Sequence, residues 1–399
     1  MIIEQSRRLD GVSEYYFSTK LRQIAEMQSR GIAVINLGIG NPDLPPSDAT
    51  IKALALSAQN PAHHGYQGYR GIRQLRDALA SWSERLYGVT LDAEREILPL
   101  LGSKEGLTHI SLAFLDPSDE ALVPDPGYPA YAAATKLAGA SVRHYELLEE
   151  NGWMPDFRAL EATDLSRVKI MWLNYPHMPT GTPARAGMFA QAIDFARRHR
   201  ILLCHDNPYS LVLPSGKPMS ILGSTGSKEV ALELNSLSKS HNMAGWRVGW
   251  VSGSADHLDA IVKVKSNIDS GTFLPVQHAA IEALKNPESW HAQRNAEYAT
   301  RRHYAHQMLD SLGCRYAPDQ VGMFVWARVP DRYADASVLS DGLLEQAHLF
   351  MTPGMVFGHS GKQFIRISLC ASVATMQEAC ERVKSYMLSH ASLPVEGRR

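Results

Sequence analysis

Two apolar runs decide the fold, Val168-Lys169-Ile170-Met171-Trp172-Leu173 and Arg200-Ile201-Leu202-Leu203-Cys204-His205, with an amphipathic stretch over 184–199 between them. Runs of this kind read as strands buried on both faces, and the helix between them completes a βαβ unit. The alternation continues on either side. Over 71–87, Ile72, Leu75, Leu79, Trp82 and Leu86 recur at helical spacing, and Gly88 supplies a stop. The fold class is therefore α/β, with a large domain on a mostly parallel sheet covered by helices on both faces. Functional groups in such a sheet gather beyond the carboxyl ends of the strands, where Asp206 and the segment Asn174–Gly181 lie. From about residue 285 the pattern changes to a long polar helix, followed by strands at Gly322–Trp326 and Phe364–Ser368. Residues 285–399 are assigned with 1–44 to a smaller α+β domain, against a large domain of 45–284.

The 399 residues suffice for these two units, and an apolar fraction of 45% with 20% charged residues is that of an ordinary globular chain. With 40 basic against 41 acidic residues the net charge is −1, which gives no footprint for nucleic acid or an anionic membrane surface. Cys204, Cys314, Cys370 and Cys380 are scattered without a Cys-x-x-Cys pair, so they read as reduced thiols rather than zinc ligands or a disulfide framework. Cys204, inside an apolar run, reads as a buried structural thiol. No apolar leader opens the chain and no run approaches the ~20 residues of a membrane span. A cytoplasmic location is expected, with a frayed tail at Leu393–Arg399.

The chemistry concentrates in a few segments. Ser236-Leu237-Ser238-Lys239 places one amine between hydroxyls, and Arg247 follows in Gly245-Trp246-Arg247-Val248-Gly249. An amine that condenses with an aldehyde beside a bound phosphate needs this set. Gly102-Ser103-Lys104-Glu105-Gly106 follows a short strand and opens a helix, whose free N–H groups and positive dipole end suit a phosphate. Asp206 ends a strand before Asn207-Pro208-Tyr209; alone it would read as a helix cap. Tyr128 in Asp125-Pro126-Gly127-Tyr128-Pro129 offers a flat platform, or simply packs a loop. Arg366 in Phe364-Ile365-Arg366-Ile367-Ser368 offers a guanidinium fork for a carboxylate, or decorates an edge strand.

In their order and spacing these segments resemble the class I/II aminotransferases, pyridoxal 5'-phosphate (PLP) enzymes of fold type I, over about residues 13–385. The resemblance implies a PLP Schiff base on Lys239, which also shuttles the proton between Cα and the cofactor. It implies that Asp206 keeps the pyridine nitrogen protonated, that Tyr209 donates to the phenolic oxygen and that Tyr128 stacks on the ring. Ser103, Lys104, Ser236, Ser238 and Arg247 would hold the phosphate. Tyr66, in Tyr66-Gln67-Gly68-Tyr69-Arg70-Gly71, would reach the phosphate of a second subunit, which implies a homodimer with shared sites. Arg366, with the backbone N–H of Gly40, would clamp the substrate's α-carboxylate. The activity implied is ping-pong transfer of an amino group between an L-amino acid and a 2-oxo acid. A PLP-dependent lyase, decarboxylase or oxidase on the same fold is the alternative.

One position departs from the family pattern. The segment reads Asn174-Tyr175-Pro176-His177-Met178-Pro179-Thr180-Gly181, with Met178 where the family has an asparagine that donates to the cofactor's phenolic oxygen. A thioether has no proton to donate. Losing that donor costs roughly 1–3 kcal/mol, about one to two pH units in the titration of the Schiff base, which should hold its proton to higher pH. His177 reads as a solvent-facing loop residue, the alternative being that it turns inward to compensate. Tyr15-Tyr16-Phe17 and Lys265–Gly271 are expected to shape the side-chain pocket. A regulator with a DNA-binding module finds no spare basic segment. Gly38-Ile39-Gly40 is too short for a dinucleotide fingerprint, since Asp43 stands at the third glycine position.

Overall fold

The computed structural model describes residues 3–6, 9 and 16–391, and among these the side chains of 3–6, 9 and 20–389. Tyr15, the side chains of Tyr16 and Phe17, and the tail Leu393–Arg399 lie outside the described residues. The strands are, in chain order, β1 (Ile35–Asn36), β2 (Ile97–Leu100), β3 (Glu120–Asp125), β4 (Ser141–Glu146), β5 (Val168–Asn174), β6 (Leu202–Asp206), β7 (Ala231–Ser236), β8 (Gly249–Ser252), β9 (Phe324–Arg328), β10 (Leu349–Phe350), β11 (Thr352–Pro353) and β12 (Phe364–Ser368). Seven form one sheet in the order β2-β8-β7-β6-β5-β3-β4, and β8 alone runs against the others.

The two opening runs lie at its centre as β5 and β6, paired in parallel. Successive side chains of a strand point to opposite faces, and β5 uses both. Ile170 and Trp172 pack with Leu107, Ile110 and Tyr131 on one side. Met171 and Leu173 pack with Phe189 and Ile193 on the other. The connecting helix is Met188–His199, starting later than 184 because Gly187 turns the backbone at φ +79. Arg200 ends that helix in a left-handed conformation, so β6 begins at Leu202. The helix expected at 71–87 spans Arg73–Tyr87 and stops at Gly88, φ +70, a conformation that glycine adopts without steric cost.

Beyond residue 285 a helix of 25 residues, Glu288–Leu312, precedes the antiparallel sheet β11-β12-β9. The N-terminal strand β1 pairs in parallel with β10, Ile35 opposite Leu349. A third apolar cluster surrounds these strands and includes Leu309, Val325, Ile365 and Ile367. All four cysteines are free thiols, with Cys204 buried as expected. No helix among the described residues is long and apolar enough to cross a membrane.

The sheet's register sets up the site. Asn174, Asp206 and Leu234 lie side by side at the carboxyl ends of β5, β6 and β7. Ser236 at the end of β7 faces Gly249, which in turn faces Leu100 at the end of β2. A Cβ on Gly249 would lie 2.5 Å from the Ser103 nitrogen and 2.8 Å from the Gly102 carbonyl carbon. Only a glycine lets β8 approach the turn before the helix Ser103–Phe114 this closely.

Candidate active site

A cavity of about 570 Å³ opens above these strand ends, within the usual size of a small-molecule site. Eleven of the twelve site residues expected from the sequence line it: Gly40, Ser103, Lys104, Tyr128, Asp206, Tyr209, Ser236, Ser238, Lys239, Arg247 and Arg366. Tyr66 does not. It is 94% exposed and does not belong to the lining of its own chain's cavity.

Lys239 sits on the helical turn Leu237–Ser240 directly after β7. The Ser236 hydroxyl accepts from the Ser238 N–H at 3.1 Å and donates to the Val248 carbonyl at 3.3 Å. Ser236 therefore caps the turn, leaving the Ser238 hydroxyl better placed for a ligand. The Lys239 amine donates to the Gly40 carbonyl across the cavity. Burial lowers its pKa from the ordinary lysine value, Arg366 and Arg247 add to the effect, and the Cys370 thiol opposes it. A neutral amine, the nucleophilic form, is thereby favoured.

Asp206, at the end of β6, is 6% exposed. Tyr131 donates to its Oδ2 at 2.9 Å, while Oδ1 is buried and has no hydrogen-bond partner among the described residues. Burial pushes the carboxyl pKa up to about 6, against the lowering effects of the Tyr131 hydrogen bond and of His205. Asn174 supports the strand end by donating from Nδ2 to the Asp206 carbonyl at 2.6 Å. Tyr131 stacks on Trp172 at 5.2 Å and meets Tyr128 edge-on at 5.6 Å. Burial raises the pKa of Tyr209, which stays a phenol.

On the other side, Gly102 turns at φ +86 and a Cβ there would meet Arg247 Nη2 at 2.0 Å. The guanidinium thus lies over the turn, and its Nη1 reaches the Ser238 hydroxyl at 3.5 Å and the Ala244 carbonyl at 2.7 Å. Ser103, Ser238, Arg247 and the start of the helix, with the positive end of its dipole, form a cup suited to a phosphate.

Arg366, 4% exposed on β12, lies between two rings, 3.9 Å from the Phe324 centroid and 4.5 Å from that of Phe357. It donates from Nη2 to the Gly38 carbonyl at 2.6 Å and from Nη1 to the Met178 sulfur at 3.2 Å. Met178 lines the cavity and is 6% exposed. His177 is not solvent-facing. It is 2% exposed, with Nδ1 at 2.8 Å from the Thr180 hydroxyl and its ring against Tyr175. Burial pushes its pKa down to about 3, opposed by the Pro126 carbonyl. It does not line the cavity, so it does not compensate for Met178.

Lys265–Gly271 does not line the cavity of its own chain either. Lys265 is buried and pairs with Asp269 at 2.7 Å, beside Glu105 and His109. The lining residues without an expected role include Tyr131, Asn174, Phe324 and Phe357. Tyr131 carries a readable signal, three residues after Tyr128 on the same helical face. Phe324 and Phe357 come from segments distant in sequence and carry none. Leu21 and Ile39 add apolar surface to the lining.

The cavity joins a depressed-pKa amine, a buried carboxylate with one open oxygen, a phosphate cup and a buried guanidinium, and this set at sheet ends defines an α/β enzyme of amine chemistry. The profile of the family described as aminotransferase class I and II matches residues 32–383, and the chain belongs to that family. It is an aminotransferase with the aspartate-aminotransferase fold. An LL-diaminopimelate aminotransferase of Moorella thermoacetica is 42% identical over 96% of this chain and 98% of that one. One from Dehalococcoides mccartyi is 40% identical over the same shares. Among solved structures, substrate-bound BacF from Bacillus subtilis superposes with TM-score 0.91 at 35% identity, covering 96% of this chain and 98% of that one. Thermus thermophilus aspartate aminotransferase with maleate gives 0.89 at 26%, covering 96% and 100%.

The open oxygen of Asp206 has a measurable consequence. A carboxyl with a folded-state pKa of about 6 against an unfolded value near 3.9 costs stability that is absent below pH ~4 and grows until pH ~6, reaching about 2–3 kcal/mol. Asp206→Asn should therefore stabilise the ligand-free protein by about that amount at pH 8 and by little at pH 4. Urea unfolding at the two pH values measures this. Equal effects at both would contradict it.

Proposed function

We propose that this aminotransferase uses PLP, held by Lys239, to exchange an amino group between an L-amino acid and a 2-oxo acid in the cytoplasm. The carrying observation is the buried Asp206 Oδ1, without a partner among the described residues, on a side chain that lines the same cavity as Lys239. It is an acceptor waiting for a cation, and the protonated ring nitrogen of PLP is one. Bound there, PLP supplies an aldehyde that condenses with amines and a ring that takes up the electron pair from a broken Cα–H bond.

The chain's residues do the rest. Ser103, Ser238, Arg247 and the helix N–H groups hold the phosphate, with Lys104 at the rim and Ser236 capping the turn. Tyr128 supports the ring, and Tyr209 donates to its phenolic oxygen. Arg366 and Gly40 hold the α-carboxylate, so that the Cα–H bond points at Lys239, which moves the proton. Of the donors the family offers, diaminopimelate is raised by the relatives' names and apolar amino acids by Leu21, Ile39, Phe324 and Phe357.

The division into a large domain of 45–284 and a small one of 1–44 with 285–399 belongs to the same proposal, as does the homodimer. Its support is the exposure of Tyr66, together with the exposed Tyr69, Ile268 and Phe273 on two segments that meet where Gly271 abuts the Gln67 and Gly68 carbonyls and Phe273 abuts His64. Tyr66 then completes the partner's phosphate cup.

Adding a competent donor alone to the yellow protein should convert it to the pyridoxamine form, read by absorbance in a single turnover. Ammonia and pyruvate appearing instead would favour β-elimination. Lys239→Ala should abolish the conversion, and Arg366→Ala should raise the donor KM by roughly 10²-fold, as expected for a buried charge-assisted clamp. Mixing Lys239→Ala chains with Tyr66→Ala chains should restore activity that neither has, since hybrids hold one intact site; no recovery would contradict shared sites. Met178→Asn should lower the pH midpoint of the Lys239-linked absorbance by about one to two pH units. An unchanged midpoint would show that Met178 does not set it.

A further inference from the structure

The helix Glu288–Leu312 buries one stripe, in which Arg294, Tyr298, Arg301, Ala305, Met308 and Leu312 follow at helical spacing. Such a stripe is ordinarily apolar. The second half complies, with Ala305, Met308, Leu309 and Leu312 in the cluster around β9 and β12. The first half consists of two guanidinium groups and a phenol, 4%, 1% and 0% exposed for Arg294, Arg301 and Tyr298. Burying guanidinium groups is costly unless their donors are met, so their partners matter.

Arg294 donates to the Ser240 carbonyl and to the Leu211 carbonyl, with its guanidinium 5.5 Å from the Trp290 ring. Ser240 is the last residue of the turn that carries Lys239. The final carbonyls of a helix lack internal partners, and a four-residue turn has almost no ladder of its own. Arg294 supplies a missing donor. Leu211 lies two residues past Tyr209, and neighbouring Asn295 holds the same loop through the Leu211 carbonyl at 3.1 Å and the Leu213 N–H at 3.2 Å.

Arg301, two turns further along, forks Asp43 at 2.6 and 2.9 Å and donates to the Leu369 carbonyl at 3.0 Å. Asp43 closes the loop that bears Gly40, and Leu369 directly follows β12, which bears Arg366. One arginine therefore grips the amine side of the cavity and the other grips the carboxylate side. Seven residues of helix hold the two grips about 10 Å apart.

We propose that this helix is a ruler, in which Arg294 and Arg301 are positioning residues that set the distance between the Lys239 amine and the carboxylate clamp of Gly40 and Arg366. This rests on the reading of the cavity given above. Proton transfer at Cα depends steeply on that distance. Because each arginine acts through a different wall, their losses fall on different constants.

The test uses full-length holoenzyme carrying Arg294→Met, Arg301→Met, Asp43→Asn, Arg294→Lys or Arg301→Lys. Arg294→Met should lower kcat on the order of tenfold or more and shift the pH midpoint of the cofactor absorbance, with the donor KM changed less than about threefold. Arg301→Met and Asp43→Asn should raise the donor KM on the order of tenfold with kcat and the absorbance midpoint nearly unchanged. Arg294→Lys should recover most of the lost kcat, since an amine can still reach the Ser240 carbonyl. Arg301→Lys should not recover the KM, since it cannot fork a carboxylate. If Arg301→Met fails to fold, Asp43→Asn carries the same comparison. The ruler is overturned if the variants change kcat and KM together, in step with a lowered Tm and with one common absorbance midpoint. A wild-type protein without cofactor absorbance would overturn the reading of the cavity, and the ruler with it.

Discussion

Charge around one cavity constrains this molecule. Lys104, Lys239, Arg247 and Arg366 line it against a single carboxylate, Asp206, among the described residues. Lys239, Arg366 and Asp206 are removed from water, where an unmatched charge is costly. Aromatic faces do part of the work: Phe324 and Phe357 enclose the Arg366 guanidinium. The excess of cationic side chains suits anions, a phosphate at one end and a carboxylate at the other. The sheet delivers this arrangement because β5, β6 and β7 end in register, which places Asn174, Asp206 and the Lys239 turn along one rim.

The central strands and the helix ending at Gly88 were legible from local signals, and eleven of the twelve residues expected at the site, some from motifs and some from the family resemblance, line one cavity. A strand end followed by a small polar residue, a glycine turn opening a helix, and a lysine between serines are all short-range patterns. What stayed hidden depends on distant segments. Arg301 meets Asp43 across 258 positions, and the stripe that carries it reads as a solvated polar face. Phe324 and Phe357 meet Arg366 only after the smaller sheet has formed. His177 is an exception: Tyr175, Thr180 and Thr182 lie close to it in sequence, and it reads as solvent-facing because the folding of this loop back on itself leaves no sequence pattern. Lys265, expected with its segment to shape the pocket, instead pairs with Asp269 four residues on and lies near Glu105 of another helix.

Met178 stands where the family resemblance leads one to expect an asparagine. Its sulfur touches Arg366 rather than offering a donor to the cavity, and neither His177 nor Asn174 takes over, since Asn174 is committed to the Asp206 carbonyl. Under the proposed function, Tyr209 is then the donor for the cofactor's phenolic oxygen. The change is local and leaves the lysine, the carboxylate and both anion sites in place, so it bears on how the cofactor is tuned rather than on whether it binds.

The central claim is a covalent link between the Lys239 amine and the aldehyde of pyridoxal phosphate. Borohydride reduction of the purified protein, followed by peptide mass spectrometry, addresses it without any substrate. The account predicts one phosphopyridoxyl adduct per chain, on the peptide containing Lys239. An unmodified Lys239, or an adduct on a different lysine, would contradict it.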